Sequence, residues 1–297
     1  MICRPMLSRS ARLTAIFSLI PLAAFAQAVS YPNFSVLTGL TTNGTTTIAQ
    51  TGDGSVARLT QAVCCSAGSV FTTYPVPFQV SAGTFSTFFQ FRLTQPGGLA
   101  PADGFAFVLR EKNTPGLGST ANAVGYDGIG HSIGIKFDTY KNDGETNDNH
   151  VAIQTNGVIL DEFTQTPFGV APCTSPAGIV GCMSNGDLWS VWIDYDGVDL
   201  HVAVADSSTT RPPDLINAPV SLPALLQYTK EAYVGFTAGT GGGFENHDIV
   251  NWVYYSTYNP TAVGASQTLP TQLISQVSTT QVSTRTPTGI VTRRGTK

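Results

Sequence analysis

The densest set of groups able to do chemistry lies between residues 137 and 150, which read Phe-Asp-Thr-Tyr-Lys-Asn-Asp-Gly-Glu-Thr-Asn-Asp-Asn-His. Asp138, Asp143, Glu145 and Asp148, four of the chain's 19 acidic residues, fall in this run, with Asn side chains and His150 beside them. Carboxylate, amide and carbonyl oxygens on a turn-rich loop are the hard donors that Ca2+ gathers, roughly six to eight at a time. The spacing is not that of an EF-hand, whose regular acid positions and closing Glu are absent. On composition alone a solvated polar loop remains the alternative.

Hydrolytic chemistry has less support. Retaining glycoside cleavage needs two carboxylates about 5 Å apart, as acids at alternate positions of one strand would supply. The segment leading into the acidic loop offers Gly134, Lys136 and Asp138 on one face, one acid beside a lysine. Asp194 and Asp196 also alternate, but Gly197 follows and the pair reads as hairpin punctuation. No Gly-x-Ser-x-Gly elbow, His-Glu-x-x-His pair or phosphate loop is present, so the chain is not expected to be an enzyme. Zinc is not expected either, because Cys64, Cys65, Cys173 and Cys182 lack the Cys-x-x-Cys spacing. In an exported chain these four are disulfide candidates, with three connectivities open.

The elements that must position the acidic loop are strands. Only 11% of the 297 residues are charged, with five Lys and five Glu, too few for solvated helices. The 38 Thr, 30 Gly, 18 Pro, 16 Phe and 10 Tyr are strand and turn vocabulary. Period-2 alternation runs through Phe85, Phe89, Phe91 and Leu93, through Phe105, Phe107 and Leu109, and through Ile133, Ile135 and Phe137. Further strands are predicted at residues 56–60, 151–154, 189–195, 200–205, 233–237 and 249–255. Trp189 and Trp192 fall on opposite strand faces, so at most one is expected in the core. With no convincing amphipathic helix, two antiparallel sheets packed face to face are the economical solution.

The ends differ from the middle. Arg4, Arg9 and Arg12 precede an apolar run closing on Ala24-Phe25-Ala26, so residues 1–26 read as a cleaved export signal and the mature protein as secreted or extracytoplasmic. The run is short of the roughly 20 apolar residues a membrane span requires. Residues 261–297 hold 14 Ser and Thr, no acid and no aromatic, the composition of a disordered tail. Residues 27–260 form the folded domain, carrying eight Lys and Arg against 19 acids, a net charge of 8 − 19 = −11. That balance opposes nucleic acid and favours cations.

Three ordered motifs carry a family resemblance. Ile135-Lys136-Phe137-Asp138-Thr139-Tyr140-Lys141-Asn142, followed by Asn149-His150-Val151-Ala152-Ile153, resembles the metal-site signature of the L-type (legume-type) lectins. Ala102-Asp103-Gly104-Phe105 resembles their sugar-contact segment. Val234-Gly235-Phe236-Thr237-Ala238 with Gly241-Gly242 and Glu245-Asn246-His247-Asp248-Ile249 resembles their late strand, sugar loop and final strand. The resemblance, to a secreted, bacterial-like member, covers about residues 30 to 257. It implies an all-β, concanavalin-like jelly-roll sandwich of two antiparallel sheets with a shallow glycan site at the top of a concave sheet.

By motif position, the resemblance implies calcium held by Asp138, the Tyr140 carbonyl, Asn142 and Asp148, with Asp143 able to replace Asp148 and His150 keeping the motif's histidine place. It implies a sugar held by Asp103, Asn142 and the backbone of Gly241 and Gly242, with stacking from Tyr140 or the Phe244 loop. Plant members carry a transition-metal ion beside calcium, but Lys136 stands where the family has a metal-binding Glu. An ammonium facing the acids disfavours a second dication, so calcium alone is expected. Glycans or glycoconjugates are the expected partners, and homo-oligomer formation is open. An exported scaffold using the fold without sugar binding is the alternative, a glycoside hydrolase a more remote one.

Overall fold

The alternating apolar residues become strands in a computed structural model, which describes residues 28–78, 83–145, 147–159, 167–171 and 182–260. The expected export signal, the Ser/Thr-rich tail and Cys173 lie outside the described residues. In chain order the strands are β1 (Ala28–Tyr31), β2 (Leu40–Gly44), β3 (Thr47–Thr51), β4 (Gly54–Thr60), β5 (Ala67–Thr72) and β6 (Val76–Pro77). They continue with β7 (Phe85–Gly98), β8 (Gly104–Arg110), β9 (Ser132–Asp138), β10 (His150–Thr155) and β11 (Phe168–Val170). The last are β12 (Trp189–Tyr195), β13 (Asp199–Asp206), β14 (Ile216–Pro219), β15 (Glu231–Gly239) and β16 (Gly243–Tyr255). A single α-helical turn, α1 (Leu222–Leu225), precedes β15.

Two antiparallel sheets result. The back sheet runs β14-β13-β12-β7-β16-β4-β3, with β1 on β16, and the front sheet runs β11-β10-β9-β8-β15-β5-β2, with β6 on β15. The long strands β7 and β16 lie side by side at the centre of the back sheet. Phe85, Phe89, Phe91 and Leu93 point inward from β7, as their period-2 spacing predicts. Their rings meet Phe105 and Phe107 of β8, Phe137 of β9 and Phe236 of β15, at centroid separations such as 4.9 Å for Phe89 and Phe236 and 4.8 Å for Phe91 and Phe105. Edge-to-face aromatic packing of this kind adds about 0.5–1.5 kcal/mol per pair beyond area burial.

Both outer faces carry smaller apolar clusters. On the front sheet, Val124, Tyr126 and Ile129 of the long β8–β9 connection pack over Phe71, Ala106 and Val108. Gly134 of β9 makes room there, since a Cβ at that position would lie 2.9 Å from the Tyr126 ring. On the back sheet, Trp192 is buried with Phe88, Ala203, Val253 and Tyr255. Trp189 and Trp192 do take opposite faces, yet both are fully buried, because the outer face supplies a second apolar layer. Asp196-Gly197 forms the expected hairpin, with Asp196 Oδ1 accepting the Val198 and Asp199 amides at 2.8 Å each. Cys64 and Cys65 are bonded to each other, and Cys182 is also disulfide-bonded.

Candidate functional site at the end of the front sheet

Strand register gathers the three sequence motifs at one end of the front sheet. Asp138, the last residue of β9, lies opposite His150 on β10 and Gly104 on β8, and Gly104 lies opposite Gly239 on β15. Asp103 therefore sits between the acidic loop and the Thr240-Gly241-Gly242 turn. Its backbone is held on both sides, by Asp103 N–H to Gly239 O at 3.2 Å and Thr139 N–H to Asp103 O at 3.2 Å. The Ala102–Asp103 peptide is cis. Gly104 has φ of 121°, and a Cβ there would run into the Phe137 carbonyl, so the residue after Asp103 must be glycine.

Asp103 is 6% exposed, and its Oδ2 has no hydrogen-bond partner. Burial and then the Asp138 charge push its pKa up to about 7, against the Gly241 amide and Lys136, which lower it. Gly241 is close: a Cβ on it would lie 3.0 Å from Asp103 Oδ2 and 3.0 Å from the Ala121 Cβ. The Ala121 amide in turn donates to Thr240 O at 3.2 Å, so the 121–124 turn forms a further wall. Leu99, 78% exposed, flanks Gly242. Phe244 lies against Gly97 and Gly98, which limits it as a stacking platform.

The acidic loop folds back on itself beside Asp103. Asp138 Oδ1 accepts the Tyr140 amide at 2.9 Å, Glu145 Oε2 accepts the Asn142 amide at 2.6 Å, and Asn142 Nδ2 donates to the Tyr140 carbonyl at 3.3 Å. Asp138, Glu145 and His150 offer ligand atoms within 4.8 Å of one another. The Lys136 ammonium reaches into this group, 2.6 Å from Asp138 Oδ2 and 3.9 Å from Glu145 Oε1, with its side chain 1% exposed. Asp148 lies half-buried on the same loop outside that trio, and Asp143 is exposed.

A second buried carboxylate stands behind Asp103. Glu245 Oε1 accepts from Thr139 Oγ1 at 2.8 Å and Ser184 Oγ at 2.9 Å, while its Oε2 has no partner. Burial raises its pKa to about 8. His247, 3.7 Å away and fully buried, has its pKa lowered to about 3 by burial, so it is neutral and shares a 2.6 Å hydrogen bond with Thr60. His247 and Asp248 serve structure: Arg58 binds Asp248 through a fork at 2.8 and 2.7 Å. His201 is likewise a bonded strand residue, 2.9 Å from Asp214.

Asp138 and Glu145 thus face one ammonium whose charge also reaches Asp103, and Asp103 and Glu245 each keep one buried carboxyl oxygen without a donor. Buried charge of one sign demands a counter-charge, and hard oxygens select a hard cation. Asp138, Glu145 and His150 form a group that could hold a metal ion, with the Tyr140 carbonyl, Asn142 and Asp148 on the same loop. The Lys136 ammonium lies against Asp138 within that group. Glu145, Glu245 and Ala121 were not singled out by sequence. Glu145 sat within the acidic run and Glu245 within the final-strand motif, but nothing in their spacing marked them, and an alanine gives no polar signal at all.

The fold is the jelly-roll sandwich of the legume lectins. The structure resembles the basic winged bean lectin solved with Tn-antigen (TM-score 0.62, 25% identity, 77% of this chain and 97% of that one). It also resembles peanut lectin solved with a nine-residue peptide (TM-score 0.61, 26% identity, 78% and 97%). The legume lectin domain profile matches residues 26–271, and the chain belongs to that family of carbohydrate-binding domains. An Arabidopsis thaliana lectin-like protein is 30% identical over 219 residues, 65% of this chain and 76% of its own length. The L-type lectin-domain containing receptor kinase IV.1 of the same plant is 27% identical over 239 residues, 74% of this chain and 34% of its own length. The chain thus spans about a third of that receptor kinase. These relatives are plant proteins and do not support placing the chain with bacterial members.

Proposed function

We propose that this protein is a calcium-dependent lectin, exported through residues 1–26, that binds glycans at the end of the front sheet. The observation that carries the reading is the buried Asp103 carboxylate, with one oxygen free of hydrogen bonds, set between the acidic loop and the Gly241 turn. Sugar hydroxyls need both acceptors and donors in a fixed array. Asp103 accepts, while Asn142 and the Gly241 and Gly242 backbone supply the polar complement. Calcium, when bound, supplies charge compensation and fixes the loop so that Asn142 faces the sugar; the chain's own residues do the recognition.

Lys136 provides one positive charge permanently, so calcium is the only metal required. On β9 Asp138 alternates with Lys136 and not with a second acid, which favours binding over the paired strand carboxylates of glycoside hydrolysis. Among the described residues no helix is long and apolar enough to cross a membrane. A glycan array run in calcium and in EDTA tests the reading. Calcium-dependent signals on particular glycans are expected; no signal with calcium saturated would favour a scaffold role, and reducing-sugar release in the same wells would favour a hydrolase.

A further inference from the structure

We propose that the glycan site continues past the Gly241-Gly242 turn onto Val63 and the bonded pair Cys64–Cys65, an apolar platform for a second sugar residue of the same glycan. The inference rests on the lectin reading and adds a subsite to it. In the front sheet β15 lies between β8 and β5, with Gly239 opposite both Gly104 and Ala67. The loops at this end therefore lie side by side: Asp103 before β8, the Gly241 turn after β15, and residues 61–66 before β5. Two strand spacings, roughly 10 Å, separate the first from the last, a disaccharide's reach.

The 61–66 loop is tied to the sugar turn. The Thr240 amide donates to Ser66 O at 2.8 Å, the Ser66 amide donates to Thr240 Oγ1 at 2.9 Å, and Thr240 Oγ1 donates to Val63 O at 2.8 Å. Asn246 of β16 accepts the Ala62 amide at 2.8 Å. With its backbone turned inward to these partners, the loop leaves Val63 49% exposed and Cys64 and Cys65 exposed. Bonding adjacent cysteines closes a small ring and removes their rotameric freedom, so little ordering entropy is lost on binding.

The chemistry of the surface selects the ligand. Residues 60–72 contain no charged side chain, so neither a cationic nor an anionic group is favoured. Two sulfurs and a valine offer an apolar patch of about ring size, and Gln61 and Ser66 at its edge offer hydroxyl partners. An apolar body with a polar rim suits the C–H face of a neutral sugar whose first residue is held at Asp103.

The test compares monosaccharides with disaccharides. Calcium-loaded protein is titrated with the methyl glycosides of galactose, N-acetylgalactosamine, mannose and glucose, and with disaccharides ending in each. Wild type should bind a disaccharide about tenfold more tightly than its terminal monosaccharide. Val63→Asp, at an exposed position, should erase that gain and leave monosaccharide affinity within about twofold. Cys64→Ser/Cys65→Ser should weaken the disaccharide selectively. Equal losses for both sugars would reduce the loop to a brace for Thr240 and overturn the subsite. So would unchanged disaccharide affinity in Val63→Asp, or a selective loss in Leu99→Ser alone. Binding of none of these sugars by wild type would overturn the lectin reading and the subsite with it.

Discussion

The Lys136 ammonium lies 2.6 Å from Asp138 Oδ2, a carboxylate that the family resemblance assigns to metal binding. Alternation along β9 puts the two side chains on one face, two residues apart, and burial makes their charges interact strongly. Breaking a buried pair by removing one partner costs about 3–5 kcal/mol. Lys136→Met should therefore lower the melting temperature of metal-free protein by roughly 10 °C. Lys136→Glu should instead create a four-residue site with Asp138, Glu145 and His150. Titration calorimetry should then find Mn2+ binding that wild type lacks; Mn2+ binding equally to wild type would contradict the role given to Lys136.

Metal-free stability should fall as pH rises from about 6.5 to 8.5. Asp103 and Glu245 have folded pKa values raised to about 7 and about 8. A carboxyl raised on folding takes up a proton, so it stabilises the fold below its unfolded value and loses that contribution as pH passes the folded one. His247, lowered to about 3, is neutral in both states above its ordinary value and adds nothing in this window. Thermal melts in EDTA should show a loss of at least about 3 °C, reduced by calcium. A flat profile would contradict the burial of these acids.

Gly241→Ala should impair recognition without unfolding the protein. The new Cβ enters the 3.0 Å gaps to Asp103 Oδ2 and the Ala121 Cβ, which must shift to admit it. Glycan affinity should fall at least about tenfold, with stability changed by less than about 1.5 kcal/mol. Unaltered affinity would remove the Gly241 turn from the site.

Phe89→Ala tests the inter-sheet core. Phe89 is fully buried against Phe105, Phe107, Phe137 and Phe236, and truncating such a ring costs about 3–5 kcal/mol. Denaturant unfolding should show that loss, while glycan affinity in the folded fraction should hold, because no Phe89 atom belongs to the site.

Period-2 alternation along Phe85, Phe89, Phe91 and Leu93 made the strands and their inward faces legible, because one buried face leaves a direct trace in sequence. It could not show that Trp192 is buried on the opposite face, since a second apolar layer depends on what neighbouring strands β13 and β16 contribute. The acidic loop suggested a cation site through composition, with a solvated loop as the alternative, and Lys136 stood out against the family motif, with strand parity placing it on the face of Asp138. Glu245 and Ala121 stayed hidden because they reach the site through register between distant strands and a turn. The bond between Cys64 and Cys65 was one of three open pairings, which spacing alone could not decide.

The central claim is that calcium-organised Asp103, Asn142 and Gly241 bind a glycan. Its most direct test is the affinity of one array-selected glycan for wild type and Asp103→Asn, measured in calcium, after EDTA, and after calcium is restored. Wild-type affinity should drop at least about 100-fold in EDTA and recover with calcium, while Asp103→Asn stays folded and binds in neither buffer. Wild-type binding that is unchanged by EDTA, or retained in Asp103→Asn, would contradict the account.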